Sequence, residues 1–506
     1  MRRLFVPAAL AVASATLLPV DAQAFCGFFV AGSDAKLTNN ASQAVLVRQG
    51  NKTTLTLSNN YKGPPENFAM VVPVPVVLQK EDVKTLDPHV FDRVDSLSAP
   101  RLVEYWEQDP CRPEPDYRRM PMAAGGARMK GAAAPRSSAE LGVTVEAQFT
   151  VGEYEIVILS AKESSGLETW LRQNRYTIPA GAAGALAPYV RDQSKFFVAK
   201  VDIQKVKRDA HGLVVLSPLR FRYEANELRL PVRLGLLNAP DPCAPNDKAC
   251  ISDKQDLIVY VLHKDSRFEA ANYRNVFIPT NLEVADQVRD HFPSFYAQLF
   301  DETLAPLKGK AVVTEYAWQT TSCDPCPTPP LTASDLYTLG VDPPGGAEPQ
   351  PTPAPQPTPS PRMSRRPGPW FGGGFASWVL TRMHVRYDKT TLGEDLIFRE
   401  ARPVVGGRAQ WNGQNDNQND SADAQPAPVN NFQARYIIRH YWTGPVSCPN
   451  PRYGQWGGPP DGGTPPPRAA KGLALAPRGK IDLKKVVTSA VPQLGLPGRP
   501  APARRQ

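Results

Sequence analysis

Between residues 43 and 57 Val45 and Val47 fall at alternate positions before Gly50-Asn51, and Leu55 and Leu57 alternate with Thr54 and Thr56 after it. A period of two puts one face of a strand into a core, and Gly-Asn supplies the positive φ of a tight connection, so this stretch predicts a β-hairpin. Extended segments follow at 68–78, 153–159, 196–203, 213–216, 221–223, 257–262, 311–318, 378–387, 395–399 and 432–441. Pro73 and Pro75 donate no hydrogen bond to a ladder, which restricts residues 68–78 to a sheet edge or irregular extended chain.

Helical spacing is rarer. Leu167, Trp170 and Leu171 fall on one face of a short helix at 166–176, and a second is expected at 186–193. The longest, 281–303, carries Ala285, Val288, Phe292, Phe295, Tyr296 and Leu299 at helical intervals, with Pro293 dividing it. No repeat of the length used by solenoids or propellers is present. The predicted fold class is α+β and β-rich, with antiparallel sheets or a sandwich-like body and a few short helices.

Composition changes this picture at the ends and in three insertions. Residues 1–24 read as a signal peptide: Arg2-Arg3, an apolar run, and Ala22-Gln23-Ala24 directly before Phe25, which predicts cleavage between Ala24 and Phe25. The expected location is therefore outside the cytoplasm, periplasmic or secreted. No later segment is long and apolar enough for a membrane span. The body, 25–341, contains an Ala/Gly/Arg/Ser stretch at 121–139 that predicts a mobile loop. Residues 342–369 form a Pro-rich linker or insertion with polyproline character. Residues 370–449 read as a continuation of the body or a small β-domain, with a polar loop at 412–430. The tail, 450–506, is basic and rich in Pro and Gly, and its pattern predicts disorder.

Charge sits at the ends too. Residues 450–506 carry ten Lys or Arg against Asp461 and Asp482, and with Arg2, Arg3 and Asp21 they account for the whole formal charge of +9. The body is neutral, so no nucleic-acid partner is expected. The basic tail offers diffuse attraction to an acidic polymer or envelope component.

Export makes disulfides the expected state of the seven cysteines, Cys26, Cys111, Cys243, Cys250, Cys323, Cys326 and Cys448. Cys243 and Cys250 share one loop and are expected to bond to each other, which leaves an odd number. Cys323-Asp324-Pro325-Cys326 has the spacing of a redox dithiol or half a zinc site, but Pro327, Pro329 and Pro330 oppose the helix that would activate a thiol, and no second ligand pair is present. Structural bridging, to each other or to Cys26, Cys111 or Cys448, is the expectation. A bond from Cys448 to either would tie the chain across the Pro-rich segment.

Other chemistry is sparse. The six histidines, His89, His211, His263, His291, His384 and His440, lie far apart without a metal-binding pattern, and packing or surface roles are expected for them. Ser165 reads as a helix N-cap rather than a nucleophile. Gly372-Gly373-Gly374 lacks the strand and helix of a phosphate loop, and residues 416–423 lack the glycine and glutamate of a calcium loop. No catalytic residue, metal site or cofactor is predicted.

Several segments resemble a bacterial family of uncharacterised exported proteins, domain of unknown function 2330. They are Phe25-Cys26-Gly27-Phe28-Phe29, Val71-Val72-Pro73-Val74-Pro75, the run from Tyr154 to Leu159 with Leu167-Glu168-Thr169-Trp170-Leu171 and Tyr176, Cys323-Asp324-Pro325-Cys326, and the run from Leu380 to Tyr387 with Glu394-Asp395-Leu396. The resemblance runs from about Phe25 to Cys448 and implies export and recurrent cysteines, with no activity or site to carry over. The Pro-rich insertion and the basic tail lie outside it. The expected role is therefore non-catalytic, binding or structural. The alternative is an exported enzyme: a thiol-disulfide oxidoreductase using Cys323 and Cys326, or a hydrolase whose groups converge only in the fold.

Overall fold

The alternation around Gly50 is realised as a hairpin: strands Thr38–Gln49 and Lys52–Lys62 pair antiparallel, Gln49 stands opposite Lys52, and Gly50 takes φ +61°. The computed structural model describes residues 28–31, 38–62, 68–111, 143–174, 181–202, 204–208, 214–238, 254–323, 326–343, 378–407, 422–460, 467–469 and 481–498. The leader with Ala24 and Phe25, Cys26, the stretch at 121–139, Cys243, Cys250, Gly372 to Gly374 and most of the Pro-rich segment lie outside the described residues.

The protein is α+β and β-rich, built on two large sheets. An eleven-stranded mixed sheet has at its centre the strands Ala311–Gln319, Val379–Tyr387, Gln255–His263, Thr38–Gln49 and Lys52–Lys62, in that spatial order. The strand Val379–Tyr387 comes from beyond the Pro-rich segment, yet it pairs antiparallel with both Gln255–His263 and Ala311–Gln319. Residues 378–387 thus complete the centre of the main body. A five-stranded sheet orders Phe28–Ala31, Phe68–Val74, Lys195–Val201, Tyr154–Ala161 and Val143–Val151.

The largest core fills the space between these sheets. Leu257, Val259 and Val261 from one central strand and Met383, Val385 and Tyr387 from the next meet Ile156, Ile158, Phe197 and Ala199 of the five-stranded sheet. Removing that apolar surface from water is the dominant stabilising term. The helices Ser164–Gln173 and Ala182–Arg191 cover the outer face of the smaller sheet through Leu167, Leu171 and Leu186. Gly340 ends the helix Ala333–Leu339 at φ +104°, and a Cβ there would stand 2.5 Å from the Thr54 side chain, so both conformation and space call for glycine.

The opposite face of the eleven-stranded sheet is covered by helices His89–Ser98 and Phe292–Leu304. Residues 281–303 are not one helix. Leu282–Glu283 is a short strand paired with Tyr436 and Ile437, Asp286–Asp290 is a 3-10 turn, and the α-helix begins at Phe292, with Pro293 in its first turn where the missing N–H costs nothing. Pro73 stands opposite Phe196 on one side of the strand Phe68–Val74; on the other, Phe28–Ala31 begins with Phe28 opposite Val71, so among the described residues Pro73 has no ladder neighbour there.

Two further differences from expectation concern local chemistry. Ser165 is not the N-cap: Glu163 holds that place with extended backbone, accepts from the Leu167 N–H at 3.3 Å, and puts Ser165 inside the first turn. Within the basic tail, residues 481–498 are packed. Leu483, Val486, Val487, Val491 and Leu496 are buried against the helix Phe292–Leu304, and Val487 bridges Val284. The apolar residues there are too few and too irregularly spaced to show a period, but they need only fill one groove.

Candidate functional site

On the strand Val379–Tyr387 three successive residues of the helix-covered face are charged or basic: Arg382, His384 and Arg386. Cross-strand register places Tyr260 opposite Arg382 and Asp256 opposite Arg386. A further member, Glu315, comes from a bulge. Pairing between Ala311–Gln319 and Val379–Tyr387 shifts between Thr314 and Tyr316, so Glu315 is the extra residue, and the local kink re-aims its carboxylate at the neighbouring strand.

The result is a continuous chain of ion pairs across the core. Asp95 accepts from Arg382 Nη1 at 2.5 Å, Arg382 Nε donates to Glu315 at 2.6 Å, and Glu315 lies 2.7 Å from His384 Nδ1. His384 Nε2 lies 2.8 Å from Asp256, Arg386 Nε donates to the same Asp256 oxygen at 2.8 Å, and Arg386 Nη1 reaches Asp301 at 2.5 Å. The five inner side chains are 0–2 % exposed, while the terminal Asp95 and Asp301 are 22 % and 35 % exposed. Tyr296 donates to Glu315, Tyr260 to Asp95, and Phe300 lies against His384 with ring centroids 4.1 Å apart.

Buried charges persist only when paired and hydrogen-bonded, and here each is held from two or more sides. With Glu315 and Asp256 both ionised, only the doubly protonated imidazole can donate to both. Burial alone would push His384 down, but the two carboxylates outweigh it and hold the imidazole above the ordinary histidine value. Burial likewise pushes Glu315 up, yet His384 and Arg382 bring it to about 2. Arg386 and His384 outweigh burial at Asp256 and hold it well below the carboxylate range. The cluster collects acid–base groups, but it spends them on one another.

An open cleft of about 520 Å³ lies elsewhere, between the two sheets. One wall is Pro73, Val74 and Pro75, where the strand Phe68–Val74 ends; the other is the turn after the strand Leu219–Glu224, with Tyr223, Ala225 and Asn226. Arg48 fixes that turn by donating to the carbonyls of Ala225 at 2.8 Å and Asn226 at 3.0 Å. Arg229 on the rim pairs with Glu227 at 2.7 Å and Asp192 at 3.3 Å. Beneath them Tyr189 donates to Asp395 at 2.5 Å, and the same oxygen accepts from the N–H groups of Val232 and Arg233. Burial raises Asp395 above the usual carboxylate value in spite of these bonds. Two segments that carried the family resemblance meet here, Val71 to Pro75 on the wall and Glu394-Asp395-Leu396 under the floor.

The cysteines form two disulfides among the described residues, Cys111–Cys448 and Cys323–Cys326. The first joins the chain just past two parallel neighbours, Arg101–Glu107 and Arg435–His440, and so fastens residues on either side of the Pro-rich segment. Cys448 thus pairs with Cys111, not with Cys323 or Cys326. The second closes a short loop after the strand Ala311–Gln319, where Cys326 is exposed and Cys323 packs partly against Trp318 and its neighbours. Among the described residues the next helix along the chain starts at Ala333, so neither sulfur sits in the first turn of a helix. Of the predicted residues, Cys111, Cys448, Cys323 and Cys326 are thereby placed. The ion-pair chain and the cleft had no signature in spacing, because their members come from segments up to 287 residues apart.

The chain belongs to a family of uncharacterized proteins conserved in bacteria, DUF2330, whose sequence profile matches residues 20–399. No curated protein and no solved structure matches it. Among the described residues, no helix is long and apolar enough to cross a membrane.

Proposed function

We propose that this is an exported bacterial protein, periplasmic or secreted, that acts by binding a partner and not by catalysis. The observation that carries the reading is the chain from Asp95 to Asp301: the residues best suited to move protons are sealed in the core and saturated by one another, which suits rigidity. In the open cleft the carboxylates of Asp192 and Glu227 are both bound to Arg229, an arrangement suited to holding a ligand. The two disulfides support an oxidising compartment. The basic residues of the tail, Lys471, Arg478, Lys480, Arg499, Arg504 and Arg505 among them, add an electrostatic contact to an acidic envelope polymer.

The test is fractionation of a bacterium expressing the tagged chain, followed by capture from envelope extracts. Recovery outside the cytoplasm with a reproducible envelope partner supports the reading. Retention in the cytoplasm, or capture of nothing beyond background in a strain whose envelope is unaffected by deletion, would overturn it.

A second reading, a thiol-disulfide oxidoreductase, is favoured by one observation, the bonding of Cys323 to Cys326 with Cys326 exposed. It requires disulfide exchange or insulin reduction by the native protein that Cys326→Ser abolishes. Absence of that activity ends this reading.

A further inference from the structure

Tyr223 is 8 % exposed, lines the cleft, and its hydroxyl has no hydrogen-bond partner among the described residues. That hydroxyl is not sealed from solvent, so it is open to bond water or a ligand that enters the cleft. Burial also raises this phenol above its ordinary value, so it stays a protonated donor through the physiological range. Ser194 and Asn226 add a hydroxyl and an amide to the same cleft.

The rest of the lining narrows the ligand. Asp192, Arg229 and Glu227 form a row of planar groups on the rim, carboxylate, guanidinium and carboxylate, each able to bind two neighbouring hydroxyls at once. Their formal sum is negative, which disfavours phosphates, acidic sugars and nucleotides. Opposite them, Pro73, Val74 and Pro75 present C–H surface without donors at the proline nitrogens. A pyranose ring matches both walls, hydroxyl edge to the polar rim and C–H face to the prolines. The volume of about 520 Å³ lies within the range of small-ligand sites and suits one or two such rings.

We propose that this cleft is a saccharide-binding site for a neutral or amine-bearing sugar of one or two rings, with Tyr223, Arg229, Asp192 and Glu227 as its polar contacts. The inference rests on the binding reading above and names the ligand class.

The experiment is titration calorimetry of the full mature chain with cellobiose, maltose, N,N′-diacetylchitobiose and chitosan disaccharide. At least one binds with a dissociation constant on the order of millimolar or tighter, and Tyr223→Phe weakens it roughly tenfold. Because that hydroxyl has no protein partner, the variant keeps the native fold, checked by an unchanged unfolding midpoint. Arg229→Ala weakens binding at least as much, whereas Tyr441→Phe, remote from the cleft, does not. No heat with any of the four sugars, or binding that ignores both cleft variants, overturns the proposal. The two readings fail separately: a sugar that binds and is cleaved keeps the site but removes the non-catalytic role, and envelope capture without sugar binding keeps the role but removes this ligand class.

Discussion

Glu315 faces His384 across 2.7 Å with both side chains wholly withdrawn from solvent, and the two belong to neighbouring strands brought into this register by a bulge at Glu315 itself. The contact is the middle link of the chain that runs from Asp95 to Asp301. It sits where the segment beyond the Pro-rich insertion enters the main sheet. Its energetic role follows from what happens when one partner is removed, since a buried charge left alone is far more costly than one never buried.

Glu315→Gln therefore leaves Arg382 and His384 short of a counter-charge in the core. The expected loss is about 3–5 kcal/mol of unfolding free energy. Urea unfolding followed by tyrosine and tryptophan fluorescence measures it. A loss below about 1 kcal/mol would place the pair among those that contribute nothing net.

The same network sets a pH profile of stability. Glu315 is lowered from 4.5 to about 2 on folding, so its contribution is complete above 4.5 and drains away as pH falls toward 2. Asp256, also lowered, loses its contribution below 3.8. His384 is raised, so its contribution is complete below 6.5 and declines as pH climbs through the folded value. Maximum stability is expected between about pH 5 and 6.5. His384→Gln should flatten the alkaline limb, and urea midpoints across the range would show whether it does.

Breaking Cys111–Cys448 as the double alanine variant should cost about 2–4 kcal/mol, because the bond closes a very long loop in the unfolded chain. Cys323–Cys326 spans three positions, and its removal should change the unfolding midpoint little. Equal effects from the two variants would contradict this assignment.

Deleting residues 480–506 uncovers the groove filled by Leu483, Val486, Val487, Val491 and Leu496. Each buried aliphatic side chain is worth roughly 1.5–3 kcal/mol before the cost of ordering the segment, so a net loss of a few kcal/mol is expected. Faster proteolysis within 282–304 and increased binding of an apolar dye are the readouts.

Strand positions were readable where Leu55 and Leu57 alternate with Thr54 and Thr56, and in Thr38–Gln49, where Val45 and Val47 face one core and Ala44 and Leu46 the other. They were readable again where β-branched residues run together, as at 257–262. The division of 281–303 was not, because Ala285 and Val288 satisfy a helical period whether or not Leu282 is pulled into a sheet by Tyr436. The ion-pair chain was opaque for a different reason. Arg382, His384 and Arg386 at alternate positions of a strand do not name their partners, and only the fold brings Glu315 and Asp256 to meet them. The cleft depends likewise on a turn at Ala225 coming to rest beside Pro73 and Pro75, a pairing of sheets that no local spacing encodes.

The central proposal is that this is an exported protein with one long-range disulfide, Cys111–Cys448, and one local one, Cys323–Cys326. Its most direct test is non-reducing peptide mass mapping of the protein recovered from outside the cytoplasm, with free thiols alkylated before digestion. The account predicts an N-terminus at Phe25, a Cys111–Cys448 cross-linked peptide and a Cys323–Cys326 loop. Recovery of the chain only inside the cell, starting at Met1 with Cys111 and Cys448 alkylated, would contradict it.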